Sequence, residues 1–498
     1  MTRTPLRHRL LLVPTLLALA AAPPGPATGA VPIPPGPADG TVAAFEGRPA
    51  DADPVRSRRI PQHPFLAANG RNSMHDDAYA SDAYAGPGPL GRNLRLTTAT
   101  YGLEECATIA FDRQGRIEAM CGGLEGSRLM LLDPETMDVL AAHPMPPRKV
   151  NPETSPLQDI CAGAYFYLDH RDRAVIATTD ARIWVVGQSE TPVGTGFELL
   201  REYDLSAHVP QDDCLVAMLP DWDGRIWFVT QEGGVGTVDP RSGRVRSVRL
   251  EGERIVNSFA TDETGGVFIV SDHAMYRFDA GRRGRPAVTW RETYDRGSTK
   301  KPGQLSQGSG TTPTLVGRDL VVITDNADPR MRVIAYRRGA EPRRDREVCR
   351  QPVLGRHRSA TENSIVAVGR AVLVENNFGY TGPAATTLGA TTAPGIARVD
   401  LGRDGCSVRW TSREVAPTSV PKASLANGLL YVYTKPAGEP SDPWYVTAID
   451  VDTGRTSWRR LTGTGPQWNN HYAAIYLGPD GSLYVATLAG LVRLKDGS

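Results

Sequence analysis

Apolar positions in this chain come in paired runs. Eight times an apolar stretch reaches a short polar turn and a second apolar stretch follows: FDRQGRIEAMCG from Phe111, LDHRDRAVIATT from Leu168, LPDWDGRIWFVT from Leu219, FATDETGGVFIVS from Phe259, LVGRDLVVITD from Leu315, VAVGRAVLVENN from Val366, LANGLLYVYTK from Leu425 and LGPDGSLYVAT from Leu477. Side chains alternate across a strand with period two, and Asp-Gly, Asn-Gly or Gly-Arg between two such runs closes a tight turn, so each phrase predicts one β-hairpin. The hairpins recur every forty to sixty residues or so, the length of a propeller blade of about four strands. The expected fold class is all-β: a single β-propeller of eight blades of four antiparallel strands, or seven if one hairpin is an insertion.

The blades fall near residues 105–147, 160–208, 213–252, 256–295, 310–352, 359–415, 420–463 and 470–494. The last is short. A propeller closes when a strand from one terminus completes the blade of the other, and NLRLTTATY, residues 93–101, is the expected donor. Ahead of it, Arg3, Arg7 and Arg9 precede an apolar stretch from Leu10 to Ala22 and small residues to Ala30. That order reads as a signal peptide over residues 1–30, too short to span a bilayer, so the protein is expected to be secreted with no integral membrane segment after cleavage. Residues 31–61, rich in Pro and Gly, form a loosely attached leader. Residues 62–104 form an extension that includes a lid over the channel and the closing strand, and residues 105–498 form the propeller.

Six cysteines in an exported chain favour disulfides. A hairpin centred on Arg113 and Gln114 sets Cys106 opposite Cys121. Cys161 and Cys214 open neighbouring inner strands, and Cys349 and Cys406 lie in neighbouring outer segments, so pairing in that order is expected. Lys and Arg number 56 against 55 for Asp and Glu, a net charge of +1 that gives no reason to propose nucleic acid or an anionic membrane as partner. A monomer with a small-molecule ligand is expected. Neither haem-attachment, zinc, P-loop nor GxSxG motifs occur.

AIDVDTGRTSW, from Ala448 to Trp458, resembles the repeat of quinoprotein-like propellers, Ala-x-Asp-x-x-Thr-Gly-x-x-x-Trp, with weaker echoes from Leu131 and Val238 and around Trp290 and Trp410. The resemblance implies a fold in which Asp450, Thr453 and Gly454 shape a turn and Trp458 packs between blades. It also raises pyrroloquinoline quinone (PQQ) as a cofactor, but dehydrogenases of that family set a disulfide of adjacent cysteines against the quinone and this chain has no Cys-Cys pair. PQQ is therefore disfavoured.

Propeller topology selects the candidate site. Starts of innermost strands and ends of second strands share one rim, which the hairpin turns leave free. Reading those positions gives Glu105, Glu362 and His471 as catalytic candidates and Asp159, Asp213, Asn257, Asn363, Asp325, Asn326 and Lys422 as ligand-binding ones. The segment from Pro64 to Asn93 crowds His75, Asp76, Asp77 and Asp82 among Gly and Pro, and as a lid it would add His75 to the catalytic set and Asp77 to the ligand set. Carboxylates beside imidazoles suit proton transfer near neutral pH, and many hard oxygens suit calcium. Two long polar loops, residues 295–312 and 380–395, should hang over the same rim. The expected function is binding of a small organic or saccharide-like ligand at the channel mouth, with hydrolase or lyase chemistry by these acids and histidines. The alternatives are a non-catalytic extracellular interaction module and a PQQ-dependent dehydrogenase.

Overall fold

The structure, a computed structural model, describes residues 30–36, 42–123, 126–147, 161, 165–192, 194–403 and 405–497. Of the expected signal peptide only Ala30 is among them. Eight sheets form one all-β propeller, seven of four antiparallel strands and one of six in which Ala83–Tyr84 adds a parallel strand beside Lys422–Ser424. The third blade shows the pattern: Leu215–Pro220, Ile226–Thr230, Gly234–Val238 and Val245–Arg249 pair in chain order from the axis outward. Its innermost turn is built by Asp221, whose Oδ1 accepts the N–H groups of Asp223 at 3.0 Å and Arg225 at 2.9 Å. Ring closure is as the sequence predicts. Arg95–Ala99 forms the outer strand of the eighth blade, from Arg95 opposite Lys495 to Ala99 opposite Leu491.

Adjacent blades lock through tryptophans. Trp410, from the outer strand of blade 6, lies over the Asp450 to Gly454 turn of blade 7 and donates from Nε1 to the Val451 carbonyl at 2.9 Å. Gly454 has φ +70°, and a Cβ there would sit 2.5 Å from the Trp410 ring, so glycine is required twice over. Trp290 of blade 4 makes the same contact with the Gly339 carbonyl of blade 5 at 3.1 Å. The disulfides are Cys106–Cys121 within blade 1, Cys161–Cys214 and Cys349–Cys406, as expected.

The leader departs from expectation because it is held to the body. Phe45–Gly47 adds a strand to blade 7 by pairing with Arg460 to Trp458, and Phe45 packs near Trp458. From there the chain crosses the turn rim. Asp53 and Val55 bond to the blade 7 turn carbonyls of Asn427 and Leu425, the His63 ring lies 4.0 Å from that of Trp222 in blade 3, and Arg71 reaches blade 1 at Phe111 and Asp112. The chain then returns inside the ring. Carbonyls of Asn72, Ala78, Tyr79, Ser81 and Asp82 accept the N–H groups of Leu168, Thr261, Leu315, Ala367 and Ala423, one from each of blades 2, 4, 5, 6 and 7.

This corrects the lid expectation. The segment carrying His75 and Asp77 does not cross the strand-start rim; it plugs the channel from the turn rim. The physical reason is that the turn ends of the short innermost strands leave backbone donors facing the axis, which the segment's carbonyls satisfy. Hydropathy does not reveal such donors.

Candidate functional site

Above the plug, the innermost strands present polar groups to the axis, and the two long loops close over them. Gly379 donates to the Pro302 carbonyl at 2.9 Å, and Asn377 Nδ2 and Tyr472 Oη both reach the Gly303 carbonyl, at 3.3 and 3.2 Å. The roof is thus loop 295–312 joined to the residues after Glu375, with His471 and Tyr472 beside it. Tyr380 Oη lies 2.8 Å from His471 Nδ1 and 3.2 Å from Asn469 Oδ1.

The floor is a charge cluster. Asp82 is fully buried and pairs with Lys422 Nζ, itself fully buried, and with His75 Nδ1 at 3.2 Å. Lys422 also donates to the Met74 carbonyl at 2.7 Å. The other His75 nitrogen, Nε2, lies 3.3 Å from Thr312 Oγ1, and Ser364 Oγ is 3.4 Å from Nδ1. Burial pushes the Asp82 carboxyl up, but the Lys422 ammonium and His75 overcome this and hold it below its ordinary value. Asp76, in the same turn, moves the opposite way: burial and then the charge of Asp77 push it well up.

Between floor and roof stands Glu362. Its carboxyl is buried, and neither oxygen has a hydrogen-bond partner among the described residues. Burial raises its pKa to about 8, against weaker opposition from the Leu305 amide and Lys300. Gly310 lies close alongside, where a Cβ would sit 2.5 Å from Glu362 Oε2. The phenols of Tyr165 and Tyr472 sense the Glu362 charge, and that of Tyr165 also senses Asp82, so the carboxyl is within electrostatic reach of both roof and floor. Glu375 lies on the adjacent strand, accepting from Asn363 Nδ2 and, at 3.4 Å, from Thr361; burial drives its carboxyl well up. Glu105 opens the blade 1 inner strand, is pushed well up by burial, and acts electrostatically on Tyr380. Asp76, Ala80, Asp82, His471 and Tyr472 all have φ between +33° and +69°. Non-glycine residues in that region cost about 1 kcal/mol or more each and gather where a site is held in a set shape.

The axis therefore brings together His75, Asp77, Glu105, Glu362, Asn363, Lys422 and His471 from the sequence-derived set. Asp77 is held in its own turn, accepting from Tyr79 N at 2.8 Å and Ser81 Oγ at 2.5 Å. Others brace the walls. Asp213 accepts from Cys214 N, Glu232 N and Thr230 Oγ1 at 2.8, 2.9 and 2.6 Å, and Asn257 donates to the Ser309 carbonyl at 3.3 Å. Asp325 is paired with Arg332 at 2.7 Å, and Asn326 holds loop 295–312 through the Arg296 and Thr299 carbonyls at 2.8 and 2.9 Å. Asp159 lies outside the described residues. Sequence reasoning passed over Tyr165, Tyr380, Tyr472 and Tyr476. Tyr476 reads as a core aromatic of its strand, whereas Tyr165, Tyr380 and Tyr472 lie in connections and carry no motif of their own.

No known family profile matches the chain. An uncharacterized protein of Archaeoglobus fulgidus is 30% identical over 316 residues, which is 56% of this chain and 60% of that protein. The chain thus aligns with only about three-fifths of that relative. Among solved structures, the quinohemoprotein alcohol dehydrogenase of Comamonas testosteroni superposes with a TM-score of 0.53 at 11% identity, covering 86% of this chain and 81% of that one. The fold is that of a quinoprotein-like propeller. A streptogramin B lyase structure aligns over 81% of this chain and 98% of that one, but its TM-score of 0.40 at 11% identity is too low to bear on function.

Within this quinoprotein-like propeller the residues do not fit PQQ. None of the three disulfides joins adjacent cysteines, and the axial groups are carboxyl, imidazole, ammonium and phenol rather than the flat tryptophan-floored slot such a quinone needs. Among the described residues no group of three or more His, Cys, Asp or Glu side chains is placed to hold a metal ion, which gives the calcium expectation no support. No helix among the described residues is long and apolar enough to cross a membrane, and three disulfides are compatible with an extracellular protein.

Proposed function

We propose that this propeller binds a small polar organic ligand of saccharide-like character on its axis, beneath the joined loops, and transforms it by general acid/base chemistry. The observation that carries this reading is Glu362. A buried carboxyl with only weak support from the Leu305 amide, and with a pKa of about 8, is protonated at neutral pH and able to give its proton to a leaving oxygen. His75, oriented by Asp82, and His471, oriented by Tyr380, are the candidate bases. Tyrosine hydroxyls and the carboxyls of Glu105 and Glu375 supply the donors and acceptors that a polyhydroxylated ligand needs. Access is from the strand-start rim, because the plug occupies the other end.

The test is a thermal-shift panel of neutral and acidic sugars, glycosides and small esters, followed by turnover assays on any compound that binds. Glu362→Gln keeps shape and removes the proton; it should retain binding and lose turnover by about 10²-fold or more. Activity should fall as pH rises through about 8, where Glu362 loses its proton. Unchanged turnover in Glu362→Gln would remove the acid from the mechanism. Binding without turnover in the wild-type protein would leave a binding module.

A further inference from the structure

The turn rim carries a feature that the axial site does not use. Most innermost turns place an arginine there, but they treat it in two ways. In blades 1, 2 and 3, Arg116, Arg173 and Arg225 fold onto the aspartate four residues earlier: Asp112 at 2.8 Å, Asp169 at 2.5 Å and Asp221 at 3.1 Å. In blades 5 and 6 the turns shorten to Gly317-Arg318-Asp319 and Gly369-Arg370, and the aspartate that would precede them is absent. Arg370 has only the exposed Asp319 at 2.7 Å, and Arg318 has no ion-pair partner among the described residues.

Around these two turns the surface is hollowed. A cleft of about 370 Å³ is lined by Arg337, Arg370, Arg403 and Asp319 over an apolar floor of Leu320 and Val348. A second hollow, about 520 Å³, shares Arg370 and adds Arg398 and Asp400. A third, on the other side of Gly369, is bordered by Arg318 and by Arg58 and Arg59 of the leader. Seven arginines thus line three neighbouring hollows; Arg398 is held by Asp400 at 2.7 Å and Asp452 at 2.5 Å, and Arg337 and Arg370 have Asp345 and Asp319 beside them, which leaves Arg58, Arg59, Arg318 and Arg403 without an ion-pair partner among the described residues. Arg337 Nε makes no hydrogen bond and stands 3.6 Å from Asp345. A net charge of +1 for the whole chain conceals this local excess.

We propose that this groove on the turn face of blades 5 and 6 binds a linear acidic polysaccharide. Guanidinium forks match carboxylate and sulfate oxygens in pairs, and their spread over three neighbouring hollows suits a chain better than a single small anion. The aromatic ring bordering the groove, Tyr79, is buried beneath the Arg338 guanidinium, 4.7 Å from its centroid, so no open face is offered to a stacked nucleobase. The groove is separate from the axial site, and the proposal does not depend on chemistry there.

The test is fluorescence anisotropy on the full chain at 50 mM salt with labelled oligogalacturonate (carboxylate) and dextran sulfate oligomers (sulfate). Uncharged dextran and a single-stranded oligonucleotide of equal charge serve as comparisons. At least one acidic glycan should bind, more weakly by tenfold or more at 200 mM salt and by tenfold or more in Arg370→Gln/Arg403→Gln. The tighter of the two identifies the anion. Asp319→Asn frees Arg370 from its competitor and should tighten binding several-fold, an effect that misfolding does not produce. Equal binding of uncharged dextran, tighter binding of the oligonucleotide, or variants indistinguishable from wild type would each overturn the assignment.

Discussion

Replacing Lys422 by methionine is the sharpest probe of how the plug is held. Lys422 and Asp82 are both fully buried, and the ammonium also carries the Met74 carbonyl. Methionine keeps most of the side-chain volume, so the main loss is charge. Asp82 is then left buried with His75 as its remaining partner, and removing one member of a buried ion pair costs about 3–5 kcal/mol. Unfolding entropy of about 2.1 cal/mol/K per residue over a body of about 400 residues comes to about 0.8 kcal/mol/K, so the expected fall in Tm is about 4–6 °C. Circular dichroism melts at pH 7 measure it. The pH dependence supplies a second reading. Asp82 has a depressed carboxyl in the folded state, so its contribution is present above the ordinary carboxylate range and lost as pH falls through the folded value. Wild type should therefore lose stability on acidification in a way that Lys422→Met does not. Lys422→Met/Asp82→Asn, which removes the stranded charge, should recover part of the loss. A shift below 1 °C, or a double variant no better than the single one, would show that the pair does not hold the plug.

Glu362 makes the opposite prediction: its folded pKa is raised, so stability is fully present below about 4.5 and lost as pH rises through about 8, and Glu362→Gln should raise Tm at pH 8 while abolishing turnover. Gly454→Ala forces a side chain into the Trp410 ring at φ +70°; it should cost about 1–3 kcal/mol and alter tryptophan emission, whereas an unchanged spectrum would count against the docking contact. Cys349→Ser/Cys406→Ser opens a loop spanning 57 residues, for which the chain-entropy model gives about 4 kcal/mol, read as a lower midpoint in urea. Removing residues 31–61 as well as the expected signal should lower Tm, because Phe45–Gly47 is a paired strand; equal Tm would show that pairing to be dispensable.

The ring was legible because its code is local. Each hairpin announces itself through turn residues such as Asp-Gly and Gly-Arg flanked by strand formers, and once hairpins repeat, the closing strand and the cysteine partners follow from counting. Strand-start polarity likewise pointed to Glu362 and His471, since a carboxylate in ATENS breaks an apolar approach. The plug was harder to read. His75 and Asp82 stood out as chemistry, but their position depends on backbone donors contributed by five different blades, which no window of sequence displays. The phenols escaped because Tyr476 sits in an apolar strand and reads as core, while Tyr165, Tyr380 and Tyr472 lie in connections, where only three-dimensional placement shows that they meet the axis. Asp213 and Asp325 illustrate the reverse error of emphasis: polar residues at the right rim whose lone pairs are already spent on neighbouring amides and arginine.

Leu90, Gly91 and Arg92 donate to the carboxylate of Asp496, some four hundred residues later in the chain, just before Arg95–Ala99 joins the final blade. The first hundred residues of the chain therefore hold partners from the first blade to the last. The internal segment meets amides of blades 2, 4, 5, 6 and 7, and Asp496 fastens the chain that follows it to the end of blade 8. Repeat arrays with only neighbour contacts can lose one end and keep the rest. Here the amino-terminal stretch ties early and late blades together, so nicking that stretch should release the blades together rather than one at a time.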